Sequence, residues 1–126
     1  MFVVKGKIKS HRGRGTKLGY PTINLPLTSD IKHGVYAGYV RYNCTPLPAA
    51  IFVGPALSFN ETEPQVEAHL LDWSGDFLAQ PVVIEAVSFI RDNKKFESAE
   101  ALQQQIADDI SRIRVCLQES SKTLLQ

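Results

Sequence analysis

The chain has 126 residues, 44% of them hydrophobic and 21% charged, with a formal net charge of +1. That is the composition of one globular domain, long enough to bury a core without disulfide or metal staples. So small a net charge argues against bulk binding to nucleic acid or to an anionic membrane surface. Two widely separated cysteines, Cys44 and Cys116, read as reduced thiols of a cytoplasmic protein.

Met1 to Val4 is too short an apolar run for a signal peptide, and Val3 to Ile8 alternates with lysine as a strand with one wet face. Residues 10 to 34 form a long Gly- and Pro-rich connection, anchored by Leu18, Tyr20, Ile23, Leu25 and Leu27, of the kind that carries function. Val35 to Tyr42 reads as the second strand, entered through Gly34. Asn43-Cys44-Thr45-Pro46 reads as a turn and Ala49 to Val53 as a third, buried strand broken by Gly54-Pro55. Pro48 to Leu57, the most apolar later stretch, is too short and too proline-broken to span a bilayer.

A second long loop covers residues 55 to 64. Gln65 to Trp73 is a fourth strand with Val66, Ala68 and Leu70 on one face and Glu67, His69 and Leu71 on the other. Val82 to Ile90 is a fifth, apolar on both faces. Ser98 then caps a helix whose stripe of Leu102, Ile106, Ile110, Ile113 and Leu117 packs on the outside of a barrel. Gln103, Gln104, Asp108, Asp109, Arg112 and Arg114 take the remaining positions, and residues 119 to 126 read as a frayed tail, leaving 1 to 118 as the domain. Five or six strands, long loops and one terminal helix predict a small, mostly antiparallel barrel.

The densest chemistry lies in Gly13-Arg14-Gly15-Thr16-Lys17-Leu18-Gly19-Tyr20-Pro21-Thr22-Ile23-Asn24. Glycines let backbone N–H groups approach an anion, and Arg12, Arg14 and Lys17 neutralise it. The order is not that of a Walker loop. After Pro21, the hydroxyl of Thr22 and the amide of Asn24 can hold a hard metal ion or a phosphate oxygen, although Pro-Thr-x-Asn by itself is also an ordinary turn. Seven basic side chains, counting His11, precede the first acid, Asp30; they read equally as a solvated charged edge.

Glu67 is the best candidate for a base, lying either on a wet strand face or in a pocket. His69 shares its face and reads as a partly buried, hydrogen-bonded histidine; Glu-x-His alone is weak evidence of metal. Arg91 ends the fifth strand, where its guanidinium grips either a ligand or an acid, Asp92 or one on the helix. Phe96 is a staple under the helix or an aromatic pocket wall, with the staple favoured by its position.

In these residues the chain resembles the riboflavin kinase (flavokinase) family, including the kinase half of bacterial bifunctional flavin synthetases. Four ordered stretches carry the resemblance: Gly6-Lys7-Ile8 leading to Arg14 through Asn24; Gly34-Val35-Tyr36-Ala37; Val66-Glu67-Ala68-His69-Leu70-Leu71-Asp72-Trp73; and Phe89 through Ser98, followed by Leu102, Gln105-Ile106 and Asp109. The resemblance implies a mainly β fold, a six-stranded antiparallel Greek-key barrel with a C-terminal α-helix. It implies transfer of the γ-phosphate of ATP to the 5′-hydroxyl of riboflavin, giving FMN and ADP. Gly13, Arg14, Gly15, Lys17, Gly19, Tyr20 and Pro21 would enclose the nucleotide. Thr22 and Asn24 would hold Mg²⁺ and phosphates. Glu67 would be the catalytic base, and Arg91 and Phe96 would border the flavin.

The partners so implied are riboflavin/FMN and ATP/ADP, with no nucleic acid and no membrane, and the expected state is a monomer. With no room before its first strand for an adenylyltransferase domain, the chain is expected to stop at FMN. Two departures stand out. Phe52-Val53-Gly54-Pro55-Ala56-Leu57-Ser58-Phe59 replaces the family's Asn-x-Gly-x-x-Pro-Thr-Phe, keeping Gly54 and Phe59 but putting Phe52 where an amide is usual. His11 stands where glycine is frequent. The alternative these changes favour is a non-catalytic flavin- or nucleotide-binding module on the same barrel. A barrel binding single-stranded nucleic acid through its basic N-terminus is a third.

Overall fold

The computed structural model describes residues 1–7, 22–27, 30–42, 45–55, 64–72 and 81–125, with the backbone alone at 120–125. Six strands and one helix follow in order: β1 (Phe2–Lys7), β2 (Thr22–Pro26), β3 (Gly34–Tyr42), β4 (Thr45–Gly54), β5 (Gln65–Leu70), β6 (Pro81–Arg91) and α1 (Ala99–Leu125). The strands form one sheet in the order β1-β6-β3-β4-β5-β2, every neighbouring pair antiparallel.

Strand alternation sorts the side chains into two cores. Ile23 and Leu25 of β2, Tyr36 and Val40 of β3, Ile51 and Val53 of β4, Val66 and Leu70 of β5, and Val82 and Ile84 of β6 fill the inside of the curled sheet. The two end strands approach one another there: a Cβ on Gly6 of β1 would stand 2.9 Å from Leu25 Cδ2 of β2. This is the expected mainly β fold, six antiparallel strands curled into a half-barrel with one C-terminal helix. Outside it, Val35, Ala37 and Ala50 meet Ile106, Ile110, Ile113 and Leu117 of α1. Each fully buried Val, Leu or Ile side chain among these contributes roughly 1.5–3 kcal/mol.

The helix starts where its cap predicts. Ser98 Oγ accepts from the backbone N–H of Ala101 at 3.1 Å. Its apolar stripe is buried as expected, but Asp109 is not on the outer polar face. It is fully buried and takes Arg91 in a fork. The helix also continues to Leu125, through most of the stretch expected to fray.

Three further expectations are corrected. Residues 22–26, read as part of a long connection, are a strand, because Thr22-Ile23-Asn24-Leu25 alternates between the barrel interior and its outside. β4 starts at Thr45, four residues before Ala49, and runs through Pro46 and Pro48. The carbonyl of Pro48 accepts from Leu71 N at 3.1 Å, so the missing N–H of that residue faces β5, not β3, and the β3–β4 ladder is undisturbed. β5 correspondingly ends at Leu70, short of the expected Trp73.

Gly54 ends β4 at φ +124°, and a Cβ there would meet Asn93 Nδ2 and His33 Cγ at 3.0 Å. Only glycine takes that backbone without strain. Asn93 Nδ2 donates to Pro55 O at 3.1 Å, so the chain leaving β4 is tied to the segment after β6.

Candidate active site

Thr22 and Asn24 project from β2 on the side opposite Ile23 and Leu25, whose side chains lie in the barrel interior. Glu67 and His69 project the same way from β5, opposite Val66 and Ala68. The ladder register sets Thr22 against His69 and Asn24 against Glu67. Directly opposed residues of antiparallel strands have Cα atoms roughly 4.5–5.5 Å apart. Four polar side chains thus share one small patch on the outer face of the barrel. Sequence reading singled out all four but treated Thr22 and Asn24 as a turn, and so did not place them beside Glu67.

The patch is largely withdrawn from water. Thr22 is fully buried, His69 is 2% exposed, and the Glu67 side chain is 14% exposed. Glu67 is therefore largely shielded and not a solvated strand glutamate. His69 Nε2 lies 2.5 Å from Glu67 Oε1. Thr22 Oγ1 and Asn24 Oδ1 are buried with no hydrogen-bond partner among the described residues. Buried oxygens are normally satisfied. A hydroxyl and an amide oxygen, side by side and without partners, suit a hard oxygen-seeking cation such as Mg²⁺, which keeps waters and shares substrate phosphates. These two residues fit the expected metal. Among the described residues no cluster of three or more His, Cys, Asp or Glu side chains forms a metal site.

β4 supplies the neighbouring wall. Phe52 stands opposite Glu67 in the β4–β5 ladder, and its ring centroid lies 4.5 Å from that of His69 with the planes tilted by 38°. The residue that departs from the family pattern is thus in contact with the patch. It also packs against the core beneath the helix. No property of the sequence other than its register could have shown this.

Arg91 pairs with a helix acid, one of the partners its position offered. Its Nε donates to Asp109 Oδ1 at 2.9 Å and its Nη2 to Asp109 Oδ2 at 2.8 Å, while Nη1 donates to the carbonyl of Asp92 at 3.0 Å. Gln105 Nε2 adds a further donor to Asp109 at 3.1 Å. The guanidinium thus ties the end of β6 to the helix. Phe96 is half-buried within reach of two cations, 5.7 Å from Arg91 Cζ and 5.3 Å from Lys94 Nζ.

The expected nucleotide-loop residues Gly13, Arg14, Gly15, Lys17, Gly19, Tyr20 and Pro21 lie outside the described residues, as do Cys44, residues 56–63 and Trp73. Cys116 is a free thiol. No described helix is long and apolar enough to cross a membrane.

A family model described as flavokinase, riboflavin kinase, matches residues 1–117. The chain belongs to the riboflavin kinase family. It is 33% identical to the riboflavin kinase of Pyricularia oryzae, over 92% of this chain and 70% of that one. It is 31% identical to the bifunctional riboflavin kinase/FMN adenylyltransferase of Escherichia coli K12, over 86% of this chain but only 36% of the longer enzyme.

Among solved structures, riboflavin kinase from Trypanosoma brucei superposes with a TM-score of 0.63 at 25% identity, covering 92% of this chain and 79% of that one. A structure named as a macrolide-efflux protein from Streptococcus pneumoniae superposes with a TM-score of 0.73 at 29% identity, covering 89% of this chain and 38% of that one. The barrel-and-helix fold is therefore that of riboflavin kinases.

Proposed function

We propose that this barrel transfers the γ-phosphate of ATP to the 5′-hydroxyl of riboflavin, forming FMN and ADP, with Glu67 as the base. The observation that carries the proposal is the placement of Asn24 against Glu67 and Thr22 against His69, in a chain of the riboflavin kinase family.

Phosphoryl transfer runs through a loose transition state, so an enzyme accelerates it mainly by positioning and charge neutralisation. A bound Mg²⁺ supplies charge neutralisation on the phosphates. Thr22 Oγ1 and Asn24 Oδ1 would hold it, and their strand backbone keeps both oxygens fixed relative to β5. Glu67 orients the primary hydroxyl and takes its proton as the new P–O bond forms. Its shielding from water strengthens these interactions and disfavours transfer to water. Gly13, Arg14, Gly15, Lys17, Gly19, Tyr20 and Pro21 would close over the nucleotide, with their glycine amides and cations on the phosphates.

Arg91 and Phe96 would border the flavin. The Arg91 fork is engaged by Asp109, so Arg91 would serve this role as a fixed wall and Phe96 as the aromatic surface. The remaining expectations belong to the same reading: a cytoplasmic monomer acting on riboflavin and ATP, with no nucleic acid or membrane partner. The net charge of +1 supports the last of these.

The test is incubation with riboflavin, ATP and Mg²⁺ and separation of the flavins by chromatography. FMN appearing only when the metal is present supports the reading. Absence of FMN, together with quenching of riboflavin fluorescence by the same sample, would replace it with a flavin-binding module.

A further inference from the structure

We infer that His69 is a positioning residue for Glu67, and that its Nε2–H selects which carboxylate oxygen of Glu67 receives the substrate proton. The inference rests on the kinase reading of Glu67 and adds to it a residue that does not touch substrate.

The short contact between His69 Nε2 and Glu67 Oε1 needs a proton between the two atoms. A base enters the kinase reaction as a carboxylate, which only accepts, so in that reading the proton sits on Nε2. His69 Nδ1 is then left over, and it is indeed buried with no partner among the described residues. The ring is therefore oriented by its bond to Glu67 at one nitrogen and by packing elsewhere. Phe52 of β4 lies against it at 4.5 Å between centroids, and Thr22 of β2 is opposite it in the ladder. With the side chain only 2% exposed, the imidazole cannot swing out to water without breaking this packing.

The consequence falls on Glu67. The terminal torsion of a glutamate is broad and roughly two-fold, so an isolated carboxylate presents either oxygen in many directions. Here the imidazole N–H holds Oε1 and fixes the carboxylate plane, so that Oε2, with both its acceptor sites free of that bond, is the better placed to take the hydroxyl proton. The carboxylate is pre-oriented before substrate arrives, and the ordering cost is met during folding.

Four variants test this by steady-state kinetics on the whole chain. In His69→Phe the ring remains and the donor is lost; kcat should fall by about 10- to 100-fold, the usual cost of removing an orienting partner. KM for riboflavin and for ATP should change by less than about threefold, since neither substrate touches His69. In His69→Gln the amide nitrogen reaches the place of Nε2 and should restore most of the loss, whereas the shorter amide of His69→Asn should not. On a Glu67→Gln background, His69→Phe should cost nothing more, because its effect passes through the carboxylate.

A His69→Phe enzyme within twofold of the parent, equal activities of the Gln and Asn variants, or full additivity with Glu67→Gln would each overturn the inference. The Gln and Asn variants bury similar polar groups, so their comparison stands even if the Phe variant does not fold. The kinase reading fails separately: a Glu67→Gln enzyme with parental turnover refutes both, whereas a crippled Glu67→Gln beside a normal His69→Phe refutes only the role of His69.

Discussion

Asn24 lies directly opposite Glu67 across the β2–β5 ladder. That single register relationship brings together the residue proposed to hold the metal and the residue proposed as base, which are 43 positions apart in the chain, on neighbouring strands. The buried oxygens of Thr22 and Asn24 have no partner among the described residues, although polar side chains lie opposite them. In the proposed function a bound ligand would satisfy them.

Thr22 separates function from stability. Replacing it with Val keeps the shape and removes a buried, unpartnered hydroxyl, so folding stability should hold or rise by up to about 1 kcal/mol. Turnover should nevertheless drop by at least about tenfold, with a higher Mg²⁺ concentration needed for half-maximal rate. Thermal melts without ligand and Mg²⁺ titrations of rate check the two halves independently. Loss of stability with normal metal dependence would mark Thr22 as structural.

The Arg91–Asp109 pair should behave as a structural tie. Arg91 is 16% exposed and Asp109 is fully buried. Asp109→Ala strands a guanidinium near the helix and should cost about 3 kcal/mol in denaturant unfolding, whereas replacing both partners by apolar residues should cost much less. Equal losses in the single and double variants would count against this.

Much of this architecture could be read from residue order. The strand alternation of Val66, Ala68 and Leu70, the stripe from Ile106 to Leu117 and the Ser98 cap are local signals, and each is realised. What escaped was set by pairing. β2 is short and follows a Gly-rich run, so its alternation was lost in the composition around it. Pro46 and Pro48 looked like turn residues because the side to which their missing N–H groups point depends on strand order. That Arg91 could grip a helix acid was legible, but that the acid is Asp109, 18 positions away on another element, was set by packing. Glu67 and His69 were recognisable as candidates, but their burial and mutual bond depend on what packs around them.

Ser98 offers a smaller test of the same structure. Its hydroxyl caps α1 through Ala101 N. Ser98→Ala should lower stability by about 1 kcal/mol, and Ser98→Asp should largely preserve it. Urea unfolding midpoints at constant slope would show the ordering.

Tyr36 sets an alkaline limit. Burial pushes its phenol above the ordinary value of 10.0, and its hydroxyl donates to Lys32 O at 2.6 Å. The unfolded chain therefore loses this proton first as pH rises. The stabilisation is complete below the ordinary value and is lost as pH climbs through the raised one. Tyr36→Phe should be less stable than the parent near neutrality, and the difference should shrink at strongly alkaline pH. A gap that stays constant across that range would contradict it.

The most direct measurement is the rate of FMN formation by the parent and by Glu67→Gln, at saturating riboflavin, ATP and Mg²⁺, with thermal melts of both. The account predicts a fall in kcat of roughly 10²- to 10⁴-fold with an unchanged melting temperature. Near-parental turnover of a folded Glu67→Gln variant would contradict it, because no carboxylate at that position would then be needed to take the proton.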